Sequence, residues 1–237
     1  MVSPISVAVL CVLTIGCLAQ DPEPCCIPTQ WQADLSQARA VLGGAPVPLL
    51  VTLSNRAYVD IPNQRAAISV EQRLDDVVQR FRIIQDYSAN IQYVITEPSN
   101  GNPLVCEREE TVLGTIDPCA LRAVNATFMR SMVLGLNLES NMWRFELVTP
   151  VIQMTAYTTV ATASCIPVHL LYAGALIPTG TPIMSSITYS DYVLGPVDDG
   201  IFALPPECQA MSHSDNVRPV IPDWVQPWFQ HLSTRYM

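Results

Sequence analysis

The sequence lacks lysine, because all 12 of its basic residues are arginine. This excludes a Schiff-base lysine and the lysine of a phosphate-binding P-loop. Charge is scarce in general: charged residues make up 14% of the 237 residues, against about 25% in a typical soluble domain. The formal net charge is -9 and the arginines are scattered singly, so the clustered basic face that nucleic acids require is absent from the sequence.

Signatures of catalysis and of metal binding are also missing from the sequence. It contains no G-x-S-x-G, H-E-x-x-H, G-x-G-x-x-G or EF-hand pattern. It has no C-x-x-C pair, and its three histidines are not spaced as zinc ligands. His169 lies beside apolar residues in a predicted strand, which is typical of a structural histidine; a hydrolase that uses His169 is the alternative. We therefore expect a protein that is not an enzyme and has no organic cofactor.

Only the amino terminus carries a long hydrophobic run. Residues 1–19 hold no charged side chain, and 5–18 are nearly all apolar, which is the length of a signal-peptide core. The small residues Cys17 and Ala19 predict cleavage before Gln20; a buried hydrophobic strand is the alternative. No later stretch reaches the roughly 18 uninterrupted apolar residues of a transmembrane helix, so we expect a secreted chain with no transmembrane segment.

Six of the eight cysteines remain after this cleavage: Cys25, Cys26, Cys106, Cys119, Cys165 and Cys208. An even number in an oxidising compartment indicates three disulfides, for which 15 pairings are open. Cys25 and Cys26 are expected to bond elsewhere, because a bridge between adjacent residues strains the intervening peptide. The only N-x-S/T sequon begins at Asn125 and predicts one glycan on an exposed loop.

The hydrophobic pattern predicts an all-β domain over residues 20–208. Ile91, Tyr93 and Ile95 alternate with Gln92, Val94 and Thr96, which indicates a strand with one apolar face. The 20 prolines disfavour long helices. The predicted strands are Leu49–Leu53, Ala66–Val70, Val77–Ile84, Ile91–Thr96, Met132–Leu138, Trp143–Val148, Val151–Val160, Val168–Tyr172 and Ile183–Tyr192.

One helix is predicted, around Gln30–Leu42, where Ala and Gln favour helix and Gly43 and Gly44 end it. Residues 209–237 form a tail that starts polar and ends in an aromatic cluster. The tail has three alternatives: it folds back on the domain, docks on a second subunit, or contacts a ligand or membrane surface.

An apolar stripe at period two, from Met132 to Leu138, is predicted to face an opposing sheet. A solid core and a lipid-accessible cavity between splayed sheets both fit this stripe, and periodicity does not separate them. If a cavity is present, the residues predicted from alternation to line it are Leu134, Leu136, Trp143, Phe145, Met154 and Tyr157.

Two acidic residues before a glycine, Asp198 and Asp199, are candidates for a calcium site, because paired carboxylates at a turn suit a hard cation. An ordinary turn is the alternative. The acidic run after Cys106, at 107–110, is typical of a solvated surface and is interrupted by Arg108.

Several short motifs resemble those of the ependymin-related proteins, a family of secreted glycoproteins. Cys25-Cys26-Ile27-Pro28-Thr29-Gln30-Trp31 resembles the family's C-x-x-P-x-x-W start, and Asn125-Ala126-Thr127-Phe128 its glycosylated N-x-T-F. Cys165-Ile166-Pro167-Val168 resembles its C-x-P-V. The residues from Asp191 to Cys208 resemble its D-x-x-L-G-x-x-D-x-x-x-F segment with the proline pair and last cysteine. The motifs occur in the family's order and spacing, and together they span nearly the whole mature chain, from Cys25 to Cys208.

The resemblance implies a curved, disulfide-stapled antiparallel β-sandwich similar to LolA- and LolB-type lipoprotein carriers, with a hydrophobic pocket. It implies binding of a lipid or other hydrophobic molecule, and it also implies calcium binding, homodimers, and extracellular or lysosomal residence. A calcium-responsive protein of the extracellular matrix or of cell adhesion is the alternative function. The family pattern pairs Cys25 with Cys165 and Cys106 with Cys208. Cys26 and Cys119 lie outside that pattern, which leaves them to pair with each other.

Overall fold

The computed structural model of the protein describes residues 21–41, 49–74, 77–97, 104–110, 115–148, 152–177 and 180–209. The predicted signal peptide and all but the first residue of the predicted tail lie outside the described residues. Within these ranges the chain forms eleven strands, two four-residue α-helices and one 3-10 turn. None of the helices in this part of the chain is long and apolar enough to cross a bilayer.

The strands are β1 Gln30–Val41, β2 Leu49–Asp60, β3 Arg65–Leu74, β4 Val77–Asp86, β5 Ile91–Thr96, β6 Val105–Glu110, β7 Thr127–Leu134, β8 Leu138–Val148, β9 Ile152–Ala161, β10 Pro167–Leu176 and β11 Thr181–Leu194. The helices are α1 Ala120–Ala123 and α2 Pro206–Gln209, and the 3-10 turn is Asp199–Phe202.

All eleven strands belong to one antiparallel sheet with the order β6-β5-β4-β3-β2-β1-β11-β10-β9-β8-β7. The first and last strands pair at its centre, so that β1–β6 form one half and β7–β11 the other. The predicted all-β antiparallel class is confirmed. The two layers expected from the sequence are two halves of a single sheet, because β1 and β11 pair along almost their full length.

One face of this sheet, which we call the inner face, carries the main core. Its buried residues come from β1–β5 and from β8–β11, so both halves contribute to one cluster. No described helix forms a layer over this face, so the sheet curves to cover it with its own halves. β-Bulges between Gln32 and Asp34 and between Phe128 and Arg130 lie in the curved sheet, where bulges bend strands.

The helix predicted around Gln30–Leu42 is wrong, because this segment is the central strand β1. Its odd-numbered positions from 31 to 39 are buried and the intervening ones are more exposed, which is the period of a strand. Ala and Gln favour helix only weakly, and pairing with β2 and β11 on both sides outweighs that preference.

The strand predicted over Met132–Leu138 is also wrong, because a hairpin turn interrupts it. β7 ends at Leu134, β8 begins at Leu138, and the turn between them places Gly135 at φ 60°. Glycine adopts this left-handed conformation without strain, which sets the turn. β6 was missed altogether, since its run of Glu and Arg resembles a solvated surface more than a strand.

Three disulfides close the fold: Cys25–Cys165, Cys26–Cys119 and Cys106–Cys208. Cys25–Cys165 and Cys106–Cys208 are the pairs that the resemblance implied, and Cys26–Cys119 is the pair expected from the two cysteines outside the family pattern. The last bridge ties the segment after β11 to β6, where Ile201, Phe202 and Leu204 pack on a small core of the outer face. The two other bridges tie the segment before β1 to the start of α1 and to the connection between β9 and β10.

Candidate functional site

The inner face combines a closed apolar core with side chains that stay partly accessible. Five apolar or aromatic residues pack against the core cluster while remaining half-buried: Ala57, Phe145, Leu170, Tyr189 and Tyr192. They come from β2, β8, β10 and β11, so they span the central strands and one half of the sheet. This face therefore offers accessible apolar surface to a small molecule.

Aromatic rings form one end of this surface. The Tyr189 and Tyr192 rings are stacked with centroids 6.2 Å apart, and the Tyr192 ring lies 5.5 Å from that of Trp31. Both tyrosines are half-buried, and burial raises the pKa of their hydroxyls well above the ordinary value. Both hydroxyls therefore stay protonated at neutral pH.

Polar side chains cross the inner face at the middle of the central strands. We call Gln37, Arg39, Asn55, Tyr172 and Ser185 the polar band; all five are buried. Arg39 is paired with Ser185, which is paired in turn with Tyr172, so three neighbouring strands carry these residues in one row. Gln37 Nε2 donates a hydrogen bond to Ser185 Oγ at 2.8 Å.

Buried polar atoms in this region are left without hydrogen bonds. Gln37 Oε1, Asn55 Oδ1 and Trp31 Nε1 have no partner among the described residues. Leaving such an atom unpaired costs about 1–3 kcal/mol, and each one in a native protein requires an explanation. A bound polar group is one such explanation.

Arg39 is the charged member of the polar band. Arg39 is the only charged residue among the buried described residues of the inner face, because the other buried charged residue, Asp60, lies on the outer face. Burial raises the pKa of Tyr172, and Ser185 and the positive charge of Arg39 partly offset that effect.

Three of the six predicted lining residues lie on the inner face. Met154 belongs to the main core, Phe145 is half-buried beside it, and Trp143 packs in a smaller cluster beneath α1. The Trp143 and Phe128 rings meet edge to face with centroids 5.5 Å apart. The alternation of β8 places Trp143 and Phe145 on the same face of the sheet.

The other three lie elsewhere. Leu136 is fully exposed at the tip of the β7–β8 hairpin, so it does not line the interior. Leu134 pairs with Leu138 next to this tip, on the face opposite to Trp143. Tyr157 pairs with Leu171 and Arg144 on the outer face. The hairpin turn and the register of β9, neither of which the sequence pattern reveals, cause these differences.

Leu170, Tyr189 and Tyr192 lie on the inner face but were not among the predicted lining residues, although their strands were predicted. The alternation of Ile183, Ser185, Ile187 and Tyr189 was the available signal for β11. The polar band was also overlooked, since which polar residues face inward depends on the register of β1, and β1 was predicted as a helix.

The candidate calcium ligands have other partners. Asp198 Oδ1 accepts a hydrogen bond from the Gly200 N–H at 3.0 Å and caps the 3-10 turn. Asp199 forms an ion pair with Arg65, which also binds Asp60. Within the described ranges no group of three or more His, Cys, Asp or Glu residues is arranged to hold a metal ion.

His169 lies on the outer face, where its Nε2 is 2.9 Å from Ser186 Oγ. Burial lowers the pKa of the imidazole, which is therefore neutral at pH 7. Asn125 is exposed at the end of α1 with φ 50°, so its side chain is accessible for glycosylation.

No protein-family model matches the chain, and no curated protein matches it in sequence. Solved structures are similar at low identity. A conserved uncharacterised protein of Thermus thermophilus has 11% identity and a TM-score of 0.44, over 76% of this chain and 88% of that one. A LolA superfamily protein of Nitrosomonas europaea has 11% identity and a TM-score of 0.35, over 74% and 90%. A DUF1329 family protein of Desulfovibrio piger has 7% identity and a TM-score of 0.34, over 85% and 98%.

Proposed function

We propose that this protein is a non-enzymatic carrier that binds a lipid or other hydrophobic molecule against the inner face of its sheet. The observation that carries the proposal is the set of half-buried apolar and aromatic side chains on that face, including Phe145, Leu170 and Tyr189. Covering them with an acyl chain removes apolar surface from water, which is favourable by about 25 cal/mol per Å².

The disulfides support a place of action outside the cytosol. Three bridges join cysteines 93 to 140 residues apart, and such bonds persist in oxidising compartments. Together with the predicted signal peptide, they support secretion or residence in the lysosomal lumen. The cysteine pairing also supports the resemblance to the ependymin-related proteins, and we propose that this chain belongs to that family.

Titration of the purified, delipidated protein with a fluorescent fatty acid tests the proposal. We expect saturable binding that Leu170→Asn weakens about tenfold or more, because the change replaces an apolar contact on the inner face with an amide. Leu171→Asn is the matched control, since Leu171 is also half-buried but lies on the outer face of the same strand. We expect it to bind like the natural protein.

Two results would contradict the carrier function. One is the absence of saturable binding across fatty acids, lysophospholipids and sterols. The other is an equal loss of affinity in the Leu170 and Leu171 variants, because a ligand on the inner face discriminates between them.

A further inference from the structure

We infer that the polar band binds the anionic head group of an amphiphilic ligand, with the acyl chain lying along the half-buried residues of the inner face. This inference rests on the proposed carrier function and specifies its ligand class. The shared chemistry is a compact anion on an apolar chain, which a fatty-acid carboxylate and a lysolipid phosphate both provide.

Position is the first argument. From Arg39 the register runs through Ser185 and Tyr172 to Ala156 and then to Phe145. Opposed side chains of neighbouring antiparallel strands lie close together. This row therefore crosses five adjacent strands, and it places the buried guanidinium of Arg39 and the half-buried ring of Phe145 on one line across the inner face.

Hydrogen-bonding capacity is the second argument. Gln37 Nε2 donates to Ser185 Oγ, and Gln37 Oε1 is unpartnered among the described residues. Rotating the amide by 180° lets the Ser185 hydroxyl donate to Oε1 and leaves the amide N–H groups for a ligand.

The positive charge of Arg39 favours an anionic head group. Arg39 is 2% exposed, and among the buried described residues of the inner face it is the only charged one. Guanidinium groups bind carboxylates and phosphates through paired N–H bonds, and such charge-assisted bonds are stronger in a medium of low dielectric constant. The net charge of -9 repels anions from the outside of the protein, so selection for an anion depends on this internal arginine.

The test compares three probes with the same chain on the natural, delipidated protein: oleate, 1-oleoyl-lysophosphatidate and uncharged oleyl alcohol. We expect at least one anion to bind tenfold or more tightly than the alcohol. Tight binding of oleate alone identifies a carboxylate ligand, and tight binding of the lysophosphatidate alone identifies a phosphate ligand. This comparison requires no variant, so it holds even if a substitution in the core prevents folding.

Variants then locate the head group. Arg39→Met should weaken binding of the preferred anion at least tenfold and change that of oleyl alcohol less than twofold, and Gln37→Met should act in the same direction. Arg80→Met is the control, because Arg80 is an exposed arginine paired with Glu71. Equal affinity for alcohol and anions, or equal losses in the Arg39 and Arg80 variants, would overturn the head-group site and leave the carrier function standing. Failure of all three probes to bind would overturn both.

Discussion

Gln37 and Ser185, which are 148 residues apart in the chain, are joined by a buried hydrogen bond of 2.8 Å between β1 and β11 at the centre of the sheet. Ser185→Ala removes the acceptor of the Gln37 Nε2 hydrogen bond and leaves this buried N–H group without a partner among the described residues. We expect the free energy of unfolding to fall by about 1–3 kcal/mol in denaturant titrations.

A double variant separates lost bonding from lost packing at this site. Gln37→Met with Ser185→Ala removes both polar groups, so it should be less destabilised than Ser185→Ala alone. Ser190→Ala, an exposed position on the same strand, should stay within about 0.5 kcal/mol of the natural protein. A double variant that is the least stable of the three would refute this account of the bond.

The buried carboxylate of Asp60 predicts a pH dependence of stability. Burial alone would raise its pKa, but hydrogen bonds from Asn63, Gln30 and Arg65 outweigh burial and hold the pKa below the ordinary value. Because the folded-state pKa lies below the unfolded one, the stabilisation is complete above about pH 4 and is lost as the pH falls through the folded value.

Asp60→Asn should therefore lower the free energy of unfolding by about 1–3 kcal/mol at pH 7, with the gap to the natural protein closing below about pH 4. Unfolding curves from pH 7 to pH 2 measure this gap. A gap that stays constant over the whole range would show that the charge of Asp60 does not stabilise the fold.

Gly174 is required where β10 approaches β9 closely. A Cβ atom at this position would lie 2.1 Å from the backbone oxygen of Gln153 and 2.6 Å from Met154 Cα, which forces the strands apart. Gly174→Ala should cost about 1–3 kcal/mol or more. Gly200→Ala is the comparison, because its Cβ would meet nothing closer than 3.4 Å. Thermal unfolding measures the stability of both variants, and equal stability would contradict the packing described here.

Leu136 and Phe145 distinguish the observed hairpin from the apolar stripe predicted by sequence. Leu136→Asp should leave stability and fatty-acid binding unchanged, because this side chain is fully exposed. Phe145→Asp places a carboxylate beside the inner core and should weaken binding at least tenfold. Loss of binding in the Leu136 variant, measured with the same fluorescent fatty acid, would place the hairpin in the binding site.

Much of the fold was predictable because strand alternation is a local signal. β5 was predicted with its observed bounds, and the other predicted strands lie mostly within observed ones, apart from the hairpin at Gly135. β1 was not predictable from propensity, since only its pairing with two neighbours makes an Ala- and Gln-rich segment extended. Gln37 and Arg39 of the polar band lie on β1. Because β1 was predicted as a helix, the inward direction of these two side chains could not be predicted.

The central claim is that a hydrophobic molecule binds on the inner face, and a crystal grown with a fatty acid brominated at the chain end tests it most directly. We expect anomalous bromine density within about 4.5 Å of Phe145, Leu170 or Tyr189, the distance of an apolar contact. Bromine density on the outer face alone, or no density at saturating ligand concentration, would contradict the account.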